Sequence, residues 1–285
     1  VSETERPTVG AAIRAAAAEL EAIGGSGRLD AELLMAHVLG VSRSELLLRH
    51  MGDLLPEGFA ALAERRRGHE PIAYITGEQE FFGLPFRVNA HVLIPRADSE
   101  VLVETALAHG SVEGRPGRRV LDCGTGSGAL ILAVLANLPG AMGLGIDRSA
   151  GALAVARHNA VALGLDDRAE FALADWHTAG WRDGLGRFDL ILANPPYVEA
   201  GALLARSVRD HEPAGALFAG PDGLDDYRVL VPQLPELMTT DATALVEIGA
   251  TQADAVATLA ADCGMVATLH HDLAGRPRLL ALVIR

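Results

Sequence analysis

The sequence predicts an α/β protein: a doubly wound, mostly parallel sheet, preceded by a small N-terminal helical bundle and a β-hairpin linker. Three observations carry this expectation. Short apolar runs alternate with helix-patterned segments from Arg119 onward. A glycine-rich turn, Asp122-Cys123-Gly124-Thr125-Gly126-Ser127-Gly128, joins the first such run to the first such helix. Residues 8 to about 70 carry helical signals.

Within the helical segment, Ile13, Ala17 and Leu20 share one stretch. Asp30 is suited to cap a helix over 31–39 with Gly40 after it, Ser44 to cap 45–48, and Pro56 to open a helix through Phe59 and Leu62. The run Glu64-Arg65-Arg66-Arg67-Gly68-His69-Glu70 reads as a solvated helix end, its cations near the negative pole of the dipole, in preference to an RNA contact. Phe81-Phe82-Gly83-Leu84-Pro85-Phe86-Arg87-Val88 then places two apolar runs around a Gly-Leu-Pro turn, the pattern of a hairpin. The expected division is therefore 1–75 helical domain, 76–95 hairpin linker and 96–285 sheet domain. Asp98-Ser99-Glu100 suits the first turn of a helix over 101–108, and Arg96 is set either to orient a group near the site or to form a surface salt bridge. After a polar linker at 110–117, strands are expected at 119–123, 142–146, 170–173, 188–193, 242–248 and 279–284, with helices at 129–138 and 150–163. His270 and His271 fall at a strand end as surface or turn residues.

Composition narrows the function. The chain has 285 residues and 49% hydrophobic content, enough for a sizeable core. No apolar run approaches the roughly 20 residues that span a bilayer, and the polar start Val1-Ser2-Glu3-Thr4-Glu5-Arg6-Pro7 lacks a signal-peptide pattern, so the expected location is cytoplasmic. Cys123 and Cys263 show no metal-ligand spacing and are expected to be reduced and structural, with no metal. The formal charge, 24 minus 37 or −13, argues against tight sequence-independent binding to a phosphate backbone. All 24 basic residues are arginine, which excludes a Schiff-base lysine, a lysine base and a Walker-type phosphate loop. A monomer is the simplest assembly.

The chemistry concentrates in two stretches. Asn194-Pro195-Pro196-Tyr197 follows the run 188–193, at a strand's C-terminal end, where open α/β sheets bind ligands. Two prolines fix φ and remove two donors, leaving the carbonyls of Asn194 and Pro195 to accept; the Asn194 amide adds an acceptor and Tyr197 a packing face. The cluster suits a planar NH2 group, either a carboxamide or the exocyclic amine of a base. The glycine turn, Gly124 through Gly128 with Thr125, Gly126 and Ser127 between, permits close approach to a cofactor. Its spacing also satisfies G-x-G-x-x-A through Ala129, which leaves nicotinamide and S-adenosylmethionine (SAM) both open. Asp147, about 20 residues on, is placed to accept ribose hydroxyls in either class. Asp122 beside the turn is a poor neighbour for pyrophosphate and a tolerable one for the zwitterionic, sulfonium-bearing tail of SAM. Asp175 can accept the adenine amine, and Trp176 either covers the ring or packs in the core.

In that order, the glycine turn, Asp147, Asp175-Trp176 and Asn194 to Tyr197 resemble the class I SAM-dependent amino-methyltransferases. More specific blocks, Pro71 to Gly77, Glu80 to Leu84, Leu93 to Glu100, Asp210 to Pro213, Gly220 to Leu224, Val246 to Gly249 and Asp272 to Gly275, resemble the bacterial release-factor glutamine methyltransferases, the PrmC (HemK) family. The resemblance covers essentially the whole chain. Cys123 stands where that family often has leucine, and Ala97 and Ser99 replace a usual proline and threonine. It implies a Rossmann-like methyltransferase fold and transfer of a methyl group from SAM to the side-chain amide nitrogen of the glutamine in the Gly-Gly-Gln motif of class 1 peptide chain release factors. S-adenosylhomocysteine is the implied product, and the helical domain would help hold the protein substrate. By the same match Gly124 through Gly128, Asp147, Trp176 and Asn194 contact SAM, while Asn194, Pro195, Pro196 and Tyr197 hold the glutamine. Neither a membrane nor direct nucleic-acid contact is implied. Rival readings are a ribosomal-protein glutamine methyltransferase, an adenine N6-methyltransferase and a SAM-binding adaptor without activity.

Overall fold

The computed structural model describes residues 7–24, 26–110 and 117–285. The polar start at 1–6 and most of the 110–117 linker lie outside the described residues. The chain divides into two compact units, residues 1–78 with 204–211 and residues 79–203 with 212–285.

The first unit is helical: α1 (Val9–Glu21), α2 (Gly27–Leu39), α3 (Arg43–Glu45) running into a π turn (Leu46–His50), α4 (Phe59–Arg67), α5 (Ile72–Thr76), and the short helix Arg206–Arg209. Val9, Ile13 and Leu20 pack on Ala31, Leu34 and Met35, with Leu46, Phe59 and Ile75 closing the core. Three helix starts differ from the sequence expectation. α2 begins at Gly27, before Asp30, because α1 and α2 touch there: a Cβ on Gly27 would lie 2.5 Å from the Ala17 carbonyl oxygen. Asp30 therefore sits inside the first turn, where it pairs with Arg66 at 2.7 Å. Ser42, not Ser44, caps α3 by accepting the Glu45 amide at 3.1 Å. α4 starts at Phe59 after Gly58, whose φ is 93°, and not at Pro56. The arginines ending α4 all meet carboxylates: Arg65 on Glu70, Arg66 on Asp30, and Arg67 on Glu19 and Glu64.

The hairpin comprises β1 (Glu78–Phe81) and β2 (Leu84–Arg87). Its turn is Phe82-Gly83, with φ of 52° and 74°, rather than Gly-Leu-Pro. Two successive positive φ values match the twist that a two-residue hairpin connection needs. The two turn amides are satisfied by carboxylates, Phe82 by Glu100 at 3.2 Å and Gly83 by Glu80 at 2.6 Å.

The second unit carries α6 (Glu100–Gly110), β3 (Arg119–Cys123), α7 (Ala129–Asn137), β4 (Met142–Asp147), α8 (Ala150–Ala162), β5 (Ala169–Leu173), β6 (Phe188–Ala193), β7 (Met238–Glu247), β8 (Met265–His271) and β9 (Pro277–Ile284). Strand order is β5-β4-β3-β6-β7-β9-β8, with β9 alone running opposite to the other strands. Alternate residues of each central strand feed two cores. Leu121, Cys123, Ile191, Ala193, Ala244 and Val246 face one side with Tyr227, Leu230 and Val256. Val120, Leu190, Leu192 and Leu245 face the other with α6 and α7. Covering both faces explains why the central strands read as continuous apolar runs. β7 starts at Met238, earlier than expected, across a register shift between Phe188 and Leu190.

This topology positions the site. The chain winds from β3 through β4 to β5 on one side, then returns to place β6 on the other side of β3. Cys123 is in register with Ile146 of β4 and with Ala193 of β6. Gly124, Asp147 and Asn194 therefore emerge together at the carboxyl edge, at the switch point where such sheets bind ligands.

Candidate active site

A cavity of about 260 Å³ opens at that edge. Gly124, Thr125, Gly126, Ser127, Asp147, Asp175, Trp176, Asn194 and Pro196 all line it. Three of the residues singled out in the sequence do not. Gly128 starts α7 at φ 80°, where a Cβ would meet Leu132 and Ala156. Pro195 is buried in the turn. Tyr197 points its hydroxyl to Glu247 at 3.3 Å.

The glycine turn commits most of its own donors. The amides of Gly124 and Thr125 both reach the Ile146 carbonyl, at 2.9 and 2.8 Å, and the Gly126 amide donates to Asp147 at 2.9 Å. A pyrophosphate cradle needs such amides free. With these three committed and carboxylates from Asp147 and Asp175 on the wall, the site favours a cationic, hydroxyl-rich ligand over a dinucleotide. SAM, a sulfonium bearing a ribose and an adenine, meets that description. Asp147 also accepts the Ser149 amide at 2.8 Å, and each of its oxygens keeps a second lone pair for a ribose hydroxyl. Gly145 keeps the floor low, since a Cβ there would lie 2.7 Å from Phe171 and 2.8 Å from the Thr125 hydroxyl.

Trp176 is both a wall and a core residue. It lines the cavity, is 9% exposed, and belongs to the core beneath the sheet edge. Its indole N–H donates to Asp226 at 3.0 Å, and a Cβ on Gly124 would lie 3.1 Å from the ring. Asp226 was not legible as a partner because it stands 50 residues away. Asn159, on α8, is likewise hidden in the sequence: its amide donates to the Ser127 carbonyl at 2.8 Å and to the Arg87 carbonyl at 3.1 Å, tying the glycine turn to β2.

Arg96 lines the opposite wall and pairs with Glu212, which is buried and also accepts the Ile94 amide at 3.2 Å. Arg96 thus forms the salt bridge while also standing on the cavity wall. His270 and His271 end β8, at the sheet's edge. Among the described residues no group of three His, Cys, Asp or Glu is arranged to hold a metal.

Two buried acids stand close behind the site. Asp122 accepts the Thr125 hydroxyl at 2.7 Å through one oxygen, while its other oxygen has no partner among the described residues. Burial pushes its carboxyl up to about 7, against the Thr125 hydrogen bond and with help from Asp147. Burial likewise pushes Glu247 up to about 7, against hydrogen bonding from Ser99. Folded, these groups hold protons at pH values where the unfolded chain, with carboxyls near 3.8 and 4.5, has released them. Their stabilising contribution is thus complete below the unfolded values and is lost as pH rises through about 7. The expected result is a melting temperature of the ligand-free protein that declines between about pH 5 and about pH 8, less steeply in Asp122→Asn. Thermal melts of both proteins across that range check it; parallel profiles contradict it.

Two family models match the sequence: the PrmC N-terminal domain over residues 11–77 and a methyltransferase domain over residues 115–267. A release factor glutamine methyltransferase of Rhodospirillum rubrum is 44% identical over 89% of this chain and 78% of its own length. Those of Bradyrhizobium diazoefficiens and Cereibacter sphaeroides are 40% and 41% identical over 98% and 95% of this chain, and 93% and 96% of their own lengths. With these matches running through both the helical unit and the sheet that carries the site, the chain belongs to the release factor glutamine methyltransferase family.

Proposed function

We propose that the protein transfers the methyl group of SAM to the side-chain amide nitrogen of the Gly-Gly-Gln glutamine in class 1 release factors, releasing S-adenosylhomocysteine. The observation that carries this reading is the meeting of Asn194 with the donor-spent glycine turn and Asp147 around one cavity. The substrate follows from family membership. We assign residues 1–75 to docking the release factor, 76–95 to a linker and 96–285 to catalysis, and we place the reaction in the cytoplasm with a monomeric enzyme, as translation-factor chemistry requires no further partner.

Gly124 through Ser127 and Asp147 would hold the cofactor's amino-acid tail and ribose, with Asp175 and Trp176 about the adenine. SAM supplies, when bound, an electrophilic methyl group on positively charged sulfur. The chain's task lies with the nucleophile. An amide nitrogen is weakly nucleophilic because its lone pair is delocalised into the carbonyl. Acceptors at the Asn194 side chain and the Pro195 carbonyl would take its two N–H groups and turn the lone pair out of conjugation. Holding reactants in line supplies up to roughly 7 to 11 kcal/mol. Tyr197 is no base here: burial pushes its phenol up to about 12, so it remains protonated. The excess proton on the methylated nitrogen is acidic and leaves to water.

The substrate class is tested with methyl-labelled SAM offered to an unmodified release factor, a ribosomal-protein fraction and adenine-containing DNA. Label in the release factor is expected; label confined to either of the others overturns the assignment. The DNA reading is disfavoured by the net charge of −13 and by the pairing of Arg65, Arg66 and Arg67 with carboxylates.

A further inference from the structure

We propose that Gln252 is a positioning residue that clamps the Asn194-Pro195-Pro196-Tyr197 turn, and that the Gly220 to Leu224 and Val246 to Gly249 blocks exist to build that clamp. The inference rests on the reaction proposed above and assigns a task to two motifs which that reaction leaves unused.

The turn needs fixing at both ends. Its start is held by the sheet, since Ala193 is in register with Val246 of β7 and with Cys123 of β3. Beyond it, two prolines contribute no donors, so the turn cannot bind itself down through its own amides. At its far end the Tyr197 carbonyl accepts the side-chain amide of Gln252 at 3.1 Å. The same nitrogen donates to the Gly223 carbonyl at 3.2 Å, and the Gln252 side-chain oxygen accepts the Gly249 amide at 3.0 Å. One buried amide, 8% exposed, thus joins three loops and meets a partner with every hydrogen it donates.

The geometry admits no side chain at Gly223, and one at Gly249 would displace the Gln252 amide. A Cβ on Gly223, whose φ is 70°, would lie 2.3 Å from the Tyr197 carbonyl oxygen. A Cβ on Gly249 would lie 2.7 Å from the Gln252 side-chain oxygen and 3.5 Å from the Tyr197 ring. The ring end is held as well, by Glu247, whose backbone carbonyl takes the Tyr227 hydroxyl at 2.8 Å. The residues that follow are paired in turn: Val198 donates to Leu217 at 2.8 Å and accepts from Ala219 at 2.9 Å. Gln252 itself lines no part of the cavity, so it acts on the reaction only through the placement of Asn194 and Pro195.

A misplacement of about 1 Å at a reacting group costs about 100-fold in rate, whereas cofactor contacts made by the glycine turn and Asp147 do not depend on Tyr197. Gln252→Met, which keeps the side-chain volume and removes the hydrogen bonds, should lower kcat about 100-fold while the SAM dissociation constant, by calorimetry on the full chain, stays within about threefold. If that variant does not fold, Gln252→Ala admits water to the freed carbonyls and carries the same expectation. Turnover within about threefold of wild type, or SAM affinity falling in step with kcat, overturns the clamp. A wild-type protein that binds SAM yet leaves the release factor unmethylated overturns the substrate reading instead, so the two failures are distinct.

Discussion

Asn194→Ala is expected to lower turnover about 100- to 1000-fold while leaving the cofactor in place. Asn194 is the first residue after β6, one step beyond a strand registered against both β3 and β7, so its backbone position is fixed by the sheet and not by its side chain. Removing the amide should therefore delete an acceptor without moving the turn. In the proposed reaction that acceptor holds one N–H of the substrate glutamine and sets the direction of the nitrogen lone pair. Loss of a preorganised polar group at a reacting centre costs about 100- to 1000-fold in kcat. SAM affinity should change by no more than about fivefold, because Gly124 to Ser127, Asp147, Asp175 and Trp176 remain. Single-turnover methylation and calorimetric SAM titration on the same preparation separate the two quantities. Turnover near wild type would remove Asn194 from the mechanism.

Asp147→Ala is expected to do the reverse and fail at binding. Its carboxylate receives the Gly126 amide at 2.9 Å and the Ser149 amide at 2.8 Å, and so shapes the glycine turn and the start of α8 before any ligand arrives. Hydrogen bonds to a charged group contribute about 1.5–3 kcal/mol each. Losing the bond offered to a ribose hydroxyl, together with the turn's anchor, should weaken SAM binding about 100-fold or more. At saturating SAM, kcat should recover most of its wild-type value, since the groups facing the glutamine are untouched. A SAM affinity unchanged in Asp147→Ala would contradict the cofactor assignment, as would a kcat that stays low at saturation.

The elements easiest to read in the sequence are those whose environment is uniform. β3, β4, β6 and β9 are buried on both faces, and their apolar runs coincide with their structural bounds to within a few residues. Asn194 and Asp147 were legible because the end of such a run is also where the sheet binds ligands. Elsewhere a tertiary contact decided the outcome. Gly27 looks like a helix breaker by local rules, yet it opens α2 because only glycine fits against α1. β8 shows itself in the sequence only at His270-His271, because this edge strand exposes several side chains and lacks a continuous apolar run.

The partners of the site were least visible. Asp226 under Trp176, Asn159 behind Ser127 and Gln252 under Tyr197 lie 50, 32 and 55 residues from the groups they hold. None of them carries a local pattern of its own. What distinguishes them is burial of a polar side chain with its partners met, which only the folded chain displays. The glycine turn illustrates the same limit: its spacing left two cofactor classes open, and the direction of three backbone amides favours one.

The central claim is tested most directly by peptide mass spectrometry of an unmodified class 1 release factor after incubation with this protein and SAM. One added methyl group is expected, on the side-chain nitrogen of the Gly-Gly-Gln glutamine, accumulating about 100- to 1000-fold more slowly when Asn194→Ala replaces the wild type. A methyl group on any other residue, or an unmodified glutamine from a protein that demonstrably binds SAM, would contradict it.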